Sequence, residues 1–167
     1  MAKVSELLRY LNNNHVEYQV HSHMPAFSAH DVAMATHVPD RDMAKTLVVQ
    51  AGKQKWLAVL RADYRIDQRL LRRALETHSI HFVSEEELEM LFPNCEVGAM
   101  PPFGNLYGLP VIADKSLAED EEIVFNACTY SESVRMRFED FERLVKPMVL
   151  GFAVPDNVRE SQLQKEG

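Results

Sequence analysis

The sequence predicts an α+β fold, a single domain in which a mixed β-sheet is flanked by helices. Three observations predict it. Some segments place apolar residues at helical spacing, while others alternate or run in short β-branched blocks. The two kinds interleave without the regular strand–helix repeat of a doubly wound parallel sheet. A chain of 167 residues, 46% apolar and 26% charged, suits one domain with one core.

The elements follow in order. Val4, Leu7, Leu8 and Leu11 share a helical face, so a helix is expected from about Lys3 to Asn13, ended by Asn12-Asn13-Asn14 because asparagine tolerates a left-handed turn. Tyr18 and Val20 alternate with polar neighbours and suggest a strand. Ser28 opens the next helix as N-cap, with Asp31 at the capping-box position, and that helix runs to about Thr36. Thr46–Val49 and Trp56–Leu60 form a hairpin around Gly52-Lys53-Gln54-Lys55. A helix is expected over Ile66–Glu76, a strand over Ile80–Val83, and a helix capped by Ser84 in the S-x-x-E pattern Ser84–Glu87. Val111–Ala113, Ile123–Asn126 and Val134–Phe138 read as strands, and Asp140–Val145 as a last helix stopped by Pro147. The domain is placed at residues 1–155 and a polar tail at 156–167.

Composition excludes several classes. No window approaches the roughly 20 apolar residues of a membrane span. No apolar run follows Lys3, so no secretory signal is read. The two cysteines, Cys95 and Cys128, form no C-x-x-C pair and allow at most one bridge; a reducing, cytoplasmic setting is the simplest expectation. A formal charge of −7 argues against a protein that coats DNA or RNA through its phosphates. It leaves room for one that grips the tip of an RNA, and Arg61, Arg65, Arg69, Arg72 and Arg73 form either a local basic rim or a solvated helix face.

The most unusual segment is Gly98-Ala99-Met100-Pro101-Pro102-Phe103-Gly104. Its glycines permit backbone angles that other residues avoid, and its paired prolines stiffen the chain and remove two donors. Such a loop can aim its remaining N–H groups at one point, as stabilising an oxyanion requires, or it can be a purely structural loop. Together with Glu96-Val97 before it and Gly108-Leu109-Pro110-Val111-Ile112-Ala113-Asp114 after it, the loop resembles the YbaK family of prolyl-tRNA-synthetase-associated editing domains. Ala44-Lys45-Thr46-Leu47-Val48 is similar to that family's lysine motif, Leu91-Phe92-Pro93 to its helix end, and Val124–Ala127, Val134–Met136 and Asp140–Leu144 to its C-terminal part. The likeness spans roughly Tyr18 to Pro147.

The resemblance implies hydrolysis of the ester that joins a noncognate amino acid to tRNA. It points to tRNA for proline carrying alanine, cysteine, serine or threonine, edited in trans because no synthetase domain is present. It implies the family's mixed sheet flanked by helices, no metal, no cofactor and no protein nucleophile. The partner would be the acceptor end of an aminoacyl-tRNA, with a synthetase as a further candidate. Carried over, Gly98 and Ala99 face the ester carbonyl, and Lys45 pins the terminal phosphate or the amino-acid end. Pro102, Phe103 and Gly104 complete the binding loop. Asp114 either binds the substrate ammonium or caps the following turn. Ser28, Met24 and Phe27 are candidates for the amino-acid pocket, with a core position the stronger expectation for Met24 and Phe27. Where some members carry a glycine-histidine segment, this chain has Ala127-Cys128-Thr129-Tyr130, so Cys128 and Tyr130 bear on which amino acid is accepted.

Other chemistries find less support. There is no G-x-S-x-G elbow and no H-E-x-x-H motif. His21-Ser22-His23 puts two rings on one strand face, yet no third and fourth ligand is evident, and surface histidines are the better reading. The competing function is a catalytically inactive tRNA- or synthetase-binding module of the same fold.

Overall fold

The computed structural model describes residues 2–36, 38–39 and 41–157. Helix α1 (Ala2–Asn13) leads into strand β1 (Tyr18–Ser22) and helix α2 (Ala29–Thr36). Strands β2 (Ala44–Ala51), β3 (Gln54–Arg61) and β4 (Tyr64–Ile66) follow, then α3 (Gln68–Ala74), β5 (Ile80–Phe82) and α4 (Glu85–Leu91). The C-terminal part adds β6 (Val111–Asp114), β7 (Glu122–Asn126), β8 (Glu132–Arg137), α5 (Phe138–Val145), β9 (Met148–Leu150) and β10 (Ala153–Pro155).

The main sheet is mixed, as expected: β5-β2-β3-β6-β9, with antiparallel pairs on one side of β3 and parallel pairs on the other. A second, antiparallel sheet has the order β1-β8-β7, and β4 pairs with β10. A parallel bridge from Met43 to Val124 and the bond from Val124 N–H to the Asp42 carbonyl (2.9 Å) tie the first sheet to the second.

Alternation along β2 assigns the core. Ala44 and Val48 join Leu57, Val59, Phe103, Phe125 and Phe141 in the largest cluster, together with Leu7 and Leu11 of α1. Val49 belongs with Ala58, Leu60, Leu71, Ile112 and Phe152 on the other face of β2. A third cluster packs Val32 and Ala33 of α2 against Met43, Ala62 and Val124.

Several boundaries shift for physical reasons. Ile66 ends β4 instead of opening a helix, because Asp67 is the N-cap of α3 and accepts from the N–H groups of Arg69 (2.9 Å) and Leu70 (3.2 Å). The hairpin turn is tighter than expected, since Gln54 and Lys55 already pair across it. Phe138 starts α5 rather than ending a strand. At the end of α1 the left-handed residue is His15 (φ 57°), not an asparagine. The caps expected at Ser28 and Ser84 are present: Ser28 Oγ accepts from Asp31 N–H (3.0 Å) and Ser84 Oγ from Glu87 N–H (3.2 Å). Residues 158–167 of the expected tail, and the side chain of Val4, lie outside the described residues. No helix among the described residues is long and apolar enough to cross a membrane.

Gly104 shows how closely the loop is fitted. A Cβ there would collide with the carbonyl oxygen of Leu109, a backbone atom that cannot yield cheaply. Gly108 (φ 71°) has open space around it. In denaturant unfolding, Gly104→Ala is expected to cost about 3 kcal/mol, at the upper end of the usual range for overpacking. Gly108→Ala should cost about 1 kcal/mol, from backbone conformation alone. Equal losses would mean that the loop yields at Gly104.

Candidate functional site

Three segments far apart in sequence meet at one edge of the domain: residues 23–28 after β1, the loop that follows α4, and the β7–β8 turn. The seam between loop and turn is made by backbone. Cys128 N–H donates to the Ala99 carbonyl (2.8 Å), and Glu96 N–H donates to the Cys128 carbonyl (2.9 Å). A disulfide joins Cys95 to Cys128, and Tyr107 Oη lies 3.4 Å from the Cys95 sulfur and 3.5 Å from that of Cys128. Tyr130 adds two bonds, its N–H to Glu96 Oε2 (2.6 Å) and its hydroxyl to the Val97 carbonyl (2.5 Å). The segment before α2 closes the group: His23 N–H reaches the Ser131 carbonyl (2.9 Å), Ala26 N–H reaches the Tyr130 carbonyl (2.8 Å), and the Phe27 ring meets Tyr130 edge-on at 4.9 Å.

Within this frame Gly98 is the open position. Its φ is 90°, and a Cβ built on it would meet nothing within 4 Å. Its N–H is held by the Met100 thioether sulfur at 3.2 Å, a weak acceptor that a better one can replace. Ala99, by contrast, is fully buried, with its N–H on the Glu96 carbonyl (2.9 Å). The pair of donors expected at Gly98 and Ala99 is therefore reduced to one exchangeable donor, Gly98.

Other expected site residues take different positions. Phe103 is 0% exposed and stacks among Tyr10, Phe125 and Phe141, at centroid distances of 5.9, 5.6 and 5.7 Å. Pro102 and Gly104 are buried with it, so these three form the inner side of the loop and anchor it. Asp114 is 1% exposed and accepts from Ser116 N–H (3.1 Å), from the Ser116 hydroxyl, and from Phe152 and Ala153 N–H (2.9 Å each). Of its two expected roles it fills the cap: both oxygens are taken, and none is left for a substrate ammonium. Ser28 is exposed, but its hydroxyl is committed to capping α2. Met24 and Phe27 reverse expectation, being 83% and 72% exposed instead of core. The Cys95–Cys128 pair is the one bridge that two cysteines allow; their separation of 33 residues hides the fact that the β7–β8 turn is laid over the loop. Cys128 has φ 70°, the left-handed backbone expected of the glycine it stands in for.

Lys45 occupies a second group. It shares a face of β2 with Leu47 and Val49, opposite Ala44 and Val48, and so does not point into the cluster that buries Met100 and Phe103. Its half-buried Nζ donates to the Ala62 carbonyl at 3.4 Å. Burial lowers its pKa, and the charges of Asp156 and then Asp63 oppose that fall. Ala62 and both aspartates line a cavity of about 460 Å³ with His30, Arg61 and Tyr64. Arg61 is fixed there by two bonds to Asp63 (2.9 and 2.8 Å) and lies over the Tyr64 ring at 4.8 Å. The two groups are linked through α2: Phe27, just before it, touches Tyr130, and His30, in its first turn, lines the cavity whose wall includes Ala62, the acceptor of Lys45.

Residues 23–144 match the family model of the aminoacyl-tRNA editing domain, a span that holds residues 23–28, Lys45, the Arg61–Tyr64 group, the loop after α4 and the β7–β8 turn. The chain belongs to the aminoacyl-tRNA editing domain family. It is 32% identical over 114 residues to the multifunctional Ser/Thr-tRNA deacylase ProXp-y of Escherichia coli K12, covering 65% of this chain and 68% of that protein. It is 29% identical over 99 residues to the prolyl-tRNA editing protein ProX of Acetoanaerobium sticklandii, covering 57% and 60%. A crystal structure assigned provisionally as a trans-editing enzyme for prolyl tRNA synthetase superposes with a TM-score of 0.78 at 19% identity, covering 92% of this chain and 98% of that one; at this identity it bears on the fold alone.

In this editing domain the sequence reading missed Glu96, Tyr107, Asp63 and Asp156. Only Arg61-x-Asp63, two residues apart and so on one side of an extended chain, carried a local signal. His23 Nδ1 lies 2.8 Å from the Met24 carbonyl, and among the described residues no group of three or more His, Cys, Asp or Glu is arranged to hold a metal ion.

The reassignment of Asp114 is testable. Asp114→Ala leaves three backbone donors and a hydroxyl without their acceptor and is expected to cost about 3 kcal/mol in denaturant unfolding. The KM of the remaining folded protein for its aminoacylated substrate should not change. A raised KM with normal stability would return Asp114 to the ligand.

Proposed function

We propose that this chain is a trans-editing hydrolase that removes a noncognate amino acid from a mischarged aminoacyl-tRNA. Family membership over residues 23–144 carries the reading, and the open, left-handed Gly98 with its loosely held N–H supports it. An aminoacyl ester is already activated, so orientation and one donor at the developing oxyanion supply much of what hydrolysis needs. Gly98 N–H leaves the Met100 sulfur for the ester oxygen as negative charge grows there. Lys45, as an ammonium, holds the phosphate or amino-acid end at the other side of the first turn of α2. Water adds to the carbonyl carbon, and the terminal ribose oxygen departs with a proton. Exposed Met24 and Phe27, beside Tyr130, offer the apolar surface against which a small side chain can rest. The finer reading is tRNA for proline carrying alanine, cysteine, serine or threonine, handled in the cytoplasm; the names of the two relatives favour testing serine and threonine first.

The competing reading, an inactive binding module, is separated by a deacylation panel. Turnover of at least one mischarged tRNA is expected. Lys45→Ala should lower kcat/KM by about 100-fold, within the range for loss of an electrostatic group. Its thermal midpoint should stay level or rise, because the variant no longer desolvates an ammonium. No turnover across the panel would leave only the binding module.

The pH dependence has a definite sign. Burial disfavours the charged form, so the folded protein releases the Lys45 proton at lower pH than an unfolded lysine does. The burial cost is therefore borne at neutral pH and relieved as pH rises through the lowered pKa. Activity that needs the ammonium is lost over the same rise. After subtraction of spontaneous ester hydrolysis, the rate should fall on the alkaline side before an ordinary lysine would titrate, and Lys45→Arg should move that fall upward. An alkaline limb unmoved in Lys45→Arg would mean that another group sets it.

A further inference from the structure

The proposed site accounts for the end of a substrate but not for what holds the rest of it. Residues 61 to 73 contain five of the chain's eleven arginines against two aspartates, in a protein whose formal charge is −7. The fold gathers the last three of these arginines. Asp67 caps α3, and the fully buried Leu71 seats the helix on the core. Arg69, Arg72 and Arg73 then follow the i, i+3, i+4 pattern of a single helix face, and Glu76 lies just past the helix end with a left-handed backbone (φ 51°). Together with Thr77 and His78 they line a groove of about 450 Å³ in which Glu76 is the only acid. One cation near a helix C-terminus suffices to complement the helix dipole, at about 0.3–1 kcal/mol. With Arg69 paired to the cap Asp67 at 3.9 Å, Arg72, Arg73 and His78 still line this groove on an otherwise acidic protein, more than that role requires.

The position of the bank fits a partner. Strand β4 runs from the cavity beside Lys45, which Tyr64 lines, to the cap of α3. Three strand residues and seven helical ones reach at most about 20 Å. A duplex that presents its terminal nucleotide at Lys45 would carry its backbone past the arginines, at one negative charge per about 1.7 Å of axis.

We propose that the arginine face of α3 is the surface that grips the phosphate backbone of the substrate RNA duplex. The identity of that RNA as a tRNA rests on the editing reading. Phosphate contacts position the duplex without reading its sequence, so this face sets affinity and salt dependence while selectivity for the acyl group stays at Gly98 and Tyr130.

The test measures binding of deacylated tRNA to the full chain by fluorescence anisotropy across a salt series, and, separately, kcat/KM on aminoacyl-tRNA and on aminoacyl-adenosine. For Arg72→Glu/Arg73→Glu, Kd at low salt should rise at least tenfold. The slope of log Kd against log salt should fall by about 1.8, the value for two lost phosphate contacts on a duplex. The kcat/KM on the full tRNA should drop at least tenfold relative to that on aminoacyl-adenosine. If the double variant loses its thermal transition, Arg73→Gln, at an exposed position, replaces it with an expected slope change of about 0.9. Unchanged Kd and slope would overturn the inference, and so would an equal loss on both substrates. Absence of tRNA binding in a wild-type protein that still deacylates would overturn it while leaving the editing function in place. Salt-dependent tRNA binding without any deacylation would support this surface and refute the editing reading.

Discussion

The arrangement depends on the seam between one residue of a β-turn and a glycine-proline loop. Cys128 gives its N–H to Ala99 and takes that of Glu96, at 2.8 and 2.9 Å, and its sulfur is bonded to Cys95. A left-handed conformation costs a side-chain-bearing residue about 1–2 kcal/mol, and here two hydrogen bonds and a covalent link hold it. Below the seam, Phe103 inserts among three aromatic rings and Gly104 packs against the Leu109 backbone, so the loop is held from beneath as well. Only Gly98 is left facing outward with a weakly held donor. Rigid support under one exchangeable N–H is what preorganised stabilisation of an oxyanion demands.

Lys45 lies on the face of β2 opposite the cluster that seats the loop, and α2 reaches both groups, through Phe27 just before it and His30 in its first turn. A ligand bridging the two must therefore be extended, with its ester at one end of that turn and its anionic or ammonium part at the other. An acylated terminal nucleotide has that shape, whereas a compact ester does not. Asp156 and Asp63 beside the half-buried Lys45 oppose the fall in pKa that burial causes and so favour its charged form.

Local patterns made most of the fold legible. Ser28, Asp31 and Ser84 marked helix starts through capping chemistry that involves only near neighbours. The long hairpin followed from two β-rich runs and a glycine. The three-residue strands β4, β9 and β10 were hidden, because segments so short form through their partners and not through their own periodicity. The site divided in the same way. Gly98 and Lys45 stood out through motif resemblance, and backbone conformation bears out the unusual nature of Gly98. The exposure of Met24 and Phe27, the burial of Phe103 and the capping role of Asp114 are outcomes of tertiary packing, which residue type alone does not reveal. The disulfide was equally illegible, since it depends on two elements 33 residues apart meeting at the seam.

The central claim is that a single substrate spans Gly98 and Lys45. A crystal structure of the protein with an aminoacyl-adenosine analogue whose ester is replaced by an amide tests it most directly. The account predicts the analogue's carbonyl oxygen within hydrogen-bond reach of Gly98 N–H, with Met100 sulfur displaced and Lys45 Nζ turned from Ala62 toward the ligand. An analogue bound with Gly98 N–H still on the Met100 sulfur and Lys45 still on Ala62 would contradict it.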